Sequence, residues 1–284
     1  MVDYSIWVSQ YAVAPEFPET YVVHGQPGTR ELPFTISVVE GGGHTVLVDT
    51  GFSTDEGGQS LADLDGITVW IHPTEALARI GFSPEEIDIV VITHAHYDHM
   101  GTIREFPNAT CYVQAREISK WIWAASLPSE LAWLRIGLNS FDLRAAVDLA
   151  GQGTLRLVDG SVPDLVPGVS LVAEHDSHTY GHQHVEVDCA SSGRWILPGD
   201  VVYSYVNLEG LKGDGEMVPI GFATSSQENC LLAMSQMMTA VAGDTTRIVP
   251  GHEFRIWERY PSRSFNDGLH LAEVTLAPGA KSRL

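Results

Sequence analysis

The feature that most constrains this chain is six residues long. His94-Ala95-His96-Tyr97-Asp98-His99 places three imidazoles and a carboxylate directly behind an apolar, β-branched run, Ile87 to Thr93. Such a run reads as a buried strand. Loops at the ends of buried strands are where a rigid scaffold presents functional groups. In extended or turning backbone His94 and His96 point the same way, so two imidazoles can grip one cation. Asp98 and His99 follow on a turn and can face a second cation beside the first, with Gly101 supporting that turn. Imidazole and carboxylate together suit zinc and other divalent first-row ions. The predicted cofactor is therefore a pair of divalent metal ions, with Zn2+ favoured. Solvated histidines are the alternative, and the density of the run argues against them.

This short run cannot fill two coordination spheres, so further ligands must come from elsewhere. The candidates are His175, His178, His182, His184, Asp200 and His252. Asp200 and His252 each end a strand-like run behind a glycine: Trp195-Ile196-Leu197-Pro198-Gly199-Asp200 and Ile248-Val249-Pro250-Gly251-His252. A glycine there lets the backbone approach closely. His24, His44, His72 and His270 stand alone and read as surface or packing residues.

The rest of the chain supplies a scaffold. Phe34 to Val39 and Thr45 to Asp49 read as a strand hairpin across Gly41-Gly42-Gly43. Ile71 to Ile80 has helical spacing, and Ser83-Pro84-Glu85-Glu86 carries an N-terminal capping pattern. Thr110 to Val113 reads as a strand. Arg116 to Trp123, Ser129 to Gly137 and Phe141 to Leu149 read as helices. Strands are expected again over Thr154 to Val158, Val169 to Ala173, His184 to Val187 and Trp195 to Leu197. A helix at about Ser226 to Val241 and a short strand, Arg247 to Val249, complete the order. Strands, helices, strands and a helix fit two sheets packed face to face with helices outside, an α/β architecture. Residues 1–284 are read as a single domain, with a helical, tryptophan-rich segment at about 116–150.

At this point the sequence resembles the metallo-β-lactamase superfamily. The HxHxDH run is its signature, and Leu47-Val48-Asp49-Thr50-Gly51 matches its earlier strand-end motif. Gly181-His182, Gly199-Asp200 and Gly251-His252 match its later motifs in order. The resemblance implies an αββα sandwich of two mixed sheets with the site at one edge. It implies one metal held by His94, His96 and His182, and a second held by Asp98, His99 and His252, with Asp200 bridging. Asp49 would support the metal loop without binding metal. Where the family often has Gly-His-Thr-Pro-Gly-His, this chain has Ser177-His178-Thr179-Tyr180-Gly181-His182. His178 is expected to stand behind the ligands, and Tyr180 to alter the pocket wall.

Fold alone assigns no substrate. The formal net charge of −20 argues against nucleic acid, which needs a basic footprint, and against an anionic membrane surface. No apolar run is long enough for a membrane span. Met1 to Val13 does not read as a secretory signal. Cys111, Cys189 and Cys230 are far apart and read as free thiols, which suits a cytoplasmic protein.

The second metal position is complete. Tyr203 follows Asp200 by three residues, a spacing similar to that of N-acyl-homoserine lactonases, and Phe106-Pro107-Asn108-Ala109 leads into a stretch that resembles the same group. The expected function is hydrolysis of a small lactone such as an N-acyl-homoserine lactone. A metal-bridging hydroxide would attack the carbonyl, Tyr203 would donate to the oxyanion, and Asp98 would pass a proton to the leaving alkoxide. Alternatives are hydrolysis of another cyclic amide or of an acyclic ester or thioester. A rival of another class is a non-hydrolytic dimetal redox or sensor protein. Trp121, Trp123 and Trp133 suit a substrate wall, a homodimer contact or plain packing between helices and sandwich.

Overall fold

The computed structural model describes residues 2–55 and 57–284. Among them, nine strands form one sheet: β1 (Tyr4–Pro18), β2 (Thr29–Gly41), β3 (His44–Val48), β4 (Val69–Trp70), β5 (Ile89–Val91), β6 (Thr110–Gln114), β7 (Leu155–Val158), β12 (Ser262–Ser264) and β13 (His270–Thr275). Four more form the second: β8 (Val162–Val166), β9 (Val169–His175), β10 (Gly181–Cys189) and β11 (Gly193–Leu197). The first sheet runs β12-β13-β1-β2-β3-β5-β6-β7, with β4 paired to β1. It is mixed: β1, β2 and β3 pair antiparallel, whereas β3, β5, β6 and β7 pair parallel. The second, ordered β11-β10-β9-β8, is antiparallel along its ladders. Its parallel element is a bridge from Ile196 to Ile248.

Strand parity explains the layers. Val46, Val48, Ile89 and Val91 point between the sheets and pack with Leu171, Val185, Val187 and Leu197. Their neighbours Leu47, Val90 and Ile92 point the other way, into a core shared with Leu77, Ile118, Trp121 and Leu143 from the flanking helices. The central strands are thus buried on both faces, which is why Ile87 to Thr93 is continuously apolar. Each such Val, Leu or Ile contributes roughly 1.5–3 kcal/mol by leaving water. Helices Pro73–Ile80 and Ser140–Gln152 cover the first sheet, and helix Gln227–Ala240 packs against β9. The result is the αββα sandwich.

Several boundaries shift for local reasons. The helix expected from Ile71 begins at Pro73, because the His72 side chain accepts from Thr74 N–H and proline occupies the first turn. The helix expected over Ser129 to Gly137 is a 3-10 stretch, Ser129–Arg135, broken by non-helical angles at Leu131. The strand expected at Arg247 to Val249 shrinks to the bridge at Ile248. Asp244 accepts from Thr246 N–H at 3.0 Å and pulls the preceding residues into a 3-10 turn. Of the described helices, none is long and apolar enough to cross a membrane. All three cysteines are buried and free.

Candidate metal centre

The polar residues singled out above gather where strands end. Asp49 follows β3, His94 to His99 follow β5, Asp200 follows β11, and His252 follows the Ile248 bridge. Gly199, in a left-handed conformation, admits Asp200. A Cβ there would lie 2.6 Å from His182 Nε2 and 2.8 Å from Thr93 Cβ. Gly251 carries no such constraint, since its nearest neighbour would be Thr35 Oγ1 at 3.7 Å.

Two adjoining clusters result. In the first, His94 Nε2 lies 3.0 Å from His96 Nδ1, and His178 Nε2 lies 3.2 Å from the same Nδ1. Asp200 Oδ2 lies 3.7 Å from His94 Nε2 and 3.5 Å from His178 Nε2. In the second, Asp98 Oδ2 lies 3.2 Å from His99 Nε2 and 3.5 Å from His252 Nε2. Asp200 Oδ1 lies 3.3 Å from each of those two nitrogens. Asp200 therefore turns one oxygen to each cluster, the arrangement of a bridging carboxylate.

The outer ring nitrogens fix which lone pairs face inward. His99 Nδ1 donates to Asp49 Oδ2 at 2.7 Å, His252 Nδ1 to Pro33 O at 2.8 Å, and His178 Nδ1 to Phe222 O at 2.9 Å. Thr93 Oγ1 gives its own proton to Asp49, so it accepts from His94 Nδ1 at 3.0 Å. All four Nε2 atoms thus carry lone pairs into the clusters, held by the hydrogen-bonded outer nitrogens usual for metal-binding histidines. His99 Nε2, His252 Nε2 and Asp200 Oδ1 are buried without a hydrogen-bond partner. Converging, unsatisfied lone pairs are costly unless a cation sits among them, so the residues fit two metal ions.

Electrostatics agree. Burial first, then neighbouring positive imidazoles, hold His94 well below the usual histidine range. Burial likewise presses His96 down to about 3 and His178 well below its ordinary value. Burial also opposes protonation of His99, but Asp98, Asp200 and Asp49 outweigh it and hold that ring well above, a demand for positive charge that a cation at Nε2 would meet in place of a proton. His252 rises for a similar reason, against burial and chiefly through Asp200. Three carboxylates enclosed with these rings call for compensating positive charge.

Asp49 supports the site from behind, in a strained left-handed conformation with φ 61°. Its carboxylate takes Thr93 N–H at 2.8 Å, Thr93 Oγ1 at 2.9 Å and His99 Nδ1.

His178 and His182 exchange the places expected for them. His178 joins the first cluster and His182 does not. His182 lies inside the β9–β10 ladder opposite Glu174, and its Nδ1 faces Glu174 Oε2 at 3.5 Å. Its Nε2 accepts the Asp200 N–H at 3.2 Å, so its ring holds the bridging residue's backbone. His178 lies in the turn ahead of β10, where left-handed Asp176 redirects the chain. His184 pairs with Glu174 at 2.8 Å, and His175 with Gln114 at 3.1 Å, both away from the clusters.

Tyr203 is buried and stacks on His252, with centroids 5.0 Å apart and planes 21° apart. Burial, then the Asp200 and Asp98 carboxylates, push its phenol well above the ordinary value, so it keeps its proton. Glu253 ties its loop to the His252 loop by accepting from Ser204 Oγ at 2.8 Å and Tyr205 N–H at 2.7 Å.

Above the clusters opens a cavity of about 410 Å³. His96, Asp98, Tyr203 and His252 form its floor, and Leu32, Phe34, Leu61, Trp133, Ile136 and Phe222 its apolar sides. The tryptophans therefore part company. Trp133 lines the cavity, Trp121 is buried and donates to Glu117, and Trp123 lies half-exposed against Tyr180. Asp65, Glu117 and Phe222 escaped the sequence reading of the site, for they stand outside any metal-ligand spacing.

A sandwich that carries two adjoining histidine–carboxylate clusters at one edge, beneath an apolar cavity, defines a dinuclear metallohydrolase fold. The chain belongs to the metallo-β-lactamase superfamily, whose profile matches residues 31–252. It is 29% identical to a probable metallo-hydrolase of Mycobacterium tuberculosis over 71% of this chain and 69% of that protein. It is 25% identical to an N-acyl homoserine lactonase of Rhizobium radiobacter over 81% of this chain and 84% of the lactonase. A dizinc quorum-quenching lactonase solved in complex with a homoserine product shares the fold, with TM-score 0.64 and 16% identity over 94% of this chain and 92% of that one.

Proposed function

We propose that this protein is a lactonase that opens the ring of a small lactone carrying an apolar chain, with N-acyl-homoserine lactones as the leading substrate class. The observation that carries this reading is the apolar cavity meeting both clusters at Tyr203. The proposed ligands are His94, His96 and His178 for one ion, Asp98, His99 and His252 for the other, and Asp200 for both. The kinship to an N-acyl homoserine lactonase supports the substrate class, and the dizinc neighbour supports zinc. Two bound divalent ions supply a nucleophile at neutral pH and polarise the ester carbonyl.

The chain's own residues do the rest. The Tyr203 phenol, protonated and buried, donates to the oxygen that gains charge. Asp98 turns Oδ2 to the second cluster and also lines the cavity, which leaves Oδ1 to take the proton lost by the attacking oxygen and pass it to the departing alkoxide. The apolar sides exclude water and seat the acyl chain. The reading treats residues 1–284 as a single domain, because β1 and β13 from opposite ends of the chain pair in one sheet.

The test is a panel of N-acyl-homoserine lactones, a β-lactam and an acyclic ester, assayed by proton release. Ring opening of the lactones, lost on chelation and restored by zinc, is expected. Activity that survives complete metal removal, or a preference for the β-lactam, overturns the proposal.

A further inference from the structure

The cavity wall carries one charged group that the proposed chemistry does not use. Asp65 follows helix Gly58–Leu64 and faces the cavity beside Leu61. Among the described lining residues it is the one carboxylate outside the metal clusters. The Tyr97 hydroxyl donates to Asp65 Oδ2 at 2.5 Å. Tyr97 is itself held by its N–H on Gly137 O at 2.9 Å, so the carboxylate is fixed in direction. That bond to Tyr97 is the one side-chain hydrogen bond Asp65 makes among the described residues, and Oδ1 has no partner among them.

An ionised carboxylate accepts hydrogen bonds at about four lone-pair positions and donates none. Placing one in the wall of a largely apolar cavity costs free energy unless those positions are filled by protein, water or ligand. Tyr97 fills one. Burial raises the carboxyl to about 6, which still leaves it ionised at neutral pH.

We propose that Asp65 selects the substrate by accepting a hydrogen bond from an amide N–H on the acyl side of the lactone. This rests on the lactonase reading. It sharpens that reading to lactones with a donor between ring and chain, over lactones bearing a bare alkyl chain. The ring then lies on the floor with Tyr203, and the chain runs along the apolar side past Asp65.

The test compares an N-acyl-homoserine lactone with a γ-butyrolactone bearing an alkyl chain of equal length and no N–H, in wild type, Asp65→Asn and Asp65→Ala. A hydrogen bond to a charged group contributes about 1.5–3 kcal/mol, so kcat/KM for the N-acyl substrate should fall roughly 10- to 100-fold in both variants, mainly through KM. The alkyl lactone should change less than about twofold, a difference well below 1.4 kcal/mol. Asn keeps an acceptor for Tyr97 but can turn an N–H to the substrate, so it separates recognition from support of Tyr97. Equal losses on both lactones would mean that Asp65 only holds Tyr97, and no loss on either would mean that it holds nothing; each overturns the proposal while leaving the lactonase reading intact. A wild type that opens neither lactone overturns both.

Discussion

The Glu117 carboxylate accepts the backbone N–H of Ala95 at 2.8 Å, between the two histidines of the metal loop. The same side chain takes Trp121 Nε1 at 2.7 Å, Thr179 Oγ1 at 3.0 Å and Gly181 N–H at 2.5 Å. One fully buried carboxylate thus joins the loop of His94 and His96 to the loop of His178. Gly181 is required for that approach, since a Cβ there would lie 2.3 Å from Glu117 N.

Glu117→Gln keeps the shape and removes the charge, leaving two of these four donors poorly matched. Groups behind metal ligands typically govern affinity by about 10–100-fold. The variant should lose metal to a chelator at that much lower chelator strength. It should also be destabilised by about 2 kcal/mol or more, since the bonds go to a charged acceptor. Competition with a colorimetric zinc chelator and urea unfolding measure the two. Unchanged zinc affinity would confine Glu117 to the core.

The exchange of His178 and His182 leads to a paired prediction. His178→Ala removes a lone pair from the first cluster, so dialysed protein should retain about one zinc per chain in place of two. His182→Ala leaves every ligand in place but frees the Asp200 N–H. It should retain both ions, with affinity lowered about 10-fold or more. Elemental analysis after dialysis distinguishes them, and the reverse pattern would return His182 to the ligand set.

The strand-end logic that found Asp200 and His252 also covers His178, because that residue follows the end of β9 at His175. The glycine before His182 drew attention to that histidine, whereas Gly181 lies against Glu117 and the histidine that joins the first cluster is His178. Most of the fold was legible because Ile87 to Thr93 and its partners are buried on both faces and show it in composition. β1 was not, although it is the longest strand, because Ser5, Ser9 and Gln10 interrupt its apolar residues and are buried with them. Asp65 and Phe222 are brought to the cavity by tertiary packing alone, which no local spacing records.

Tyr203→Phe keeps the ring stacked on His252 and removes one hydroxyl. Losing one oxyanion donor costs roughly 100-fold or more in turnover where the donor acts in the transition state. kcat should fall by that factor with KM nearly unchanged. Because the phenol is held well above its ordinary value, the wild-type rate should show no tyrosine ionisation as pH approaches 10, the ordinary phenol value. A variant with wild-type kcat would leave the chemistry to the metals.

Glu174 on β9 and His184 on β10 stand diagonal to each other in the ladder, with Glu174 Oε1 2.8 Å from His184 Nδ1, both buried. Burial opposes both charges, yet the pair outweighs it, with His182 adding to the pull on Glu174 and Glu186 to that on His184: His184 rises from 6.5 to about 9, and Glu174 falls from 4.5 to about 2. A raised histidine stabilises the fold fully below its unfolded value of 6.5, and that contribution is lost as pH climbs through about 9. A depressed glutamate stabilises fully above 4.5, and its contribution is lost as pH falls through about 2. The pair therefore contributes most between about 4.5 and 6.5 and fades on both sides. His184→Gln keeps a hydrogen-bonding side chain and removes the charge. The Tm difference between wild type and variant, followed across pH, should be greatest in that window and shrink steadily toward pH 9. A difference that stays constant with pH would show that the two residues interact as neutral groups.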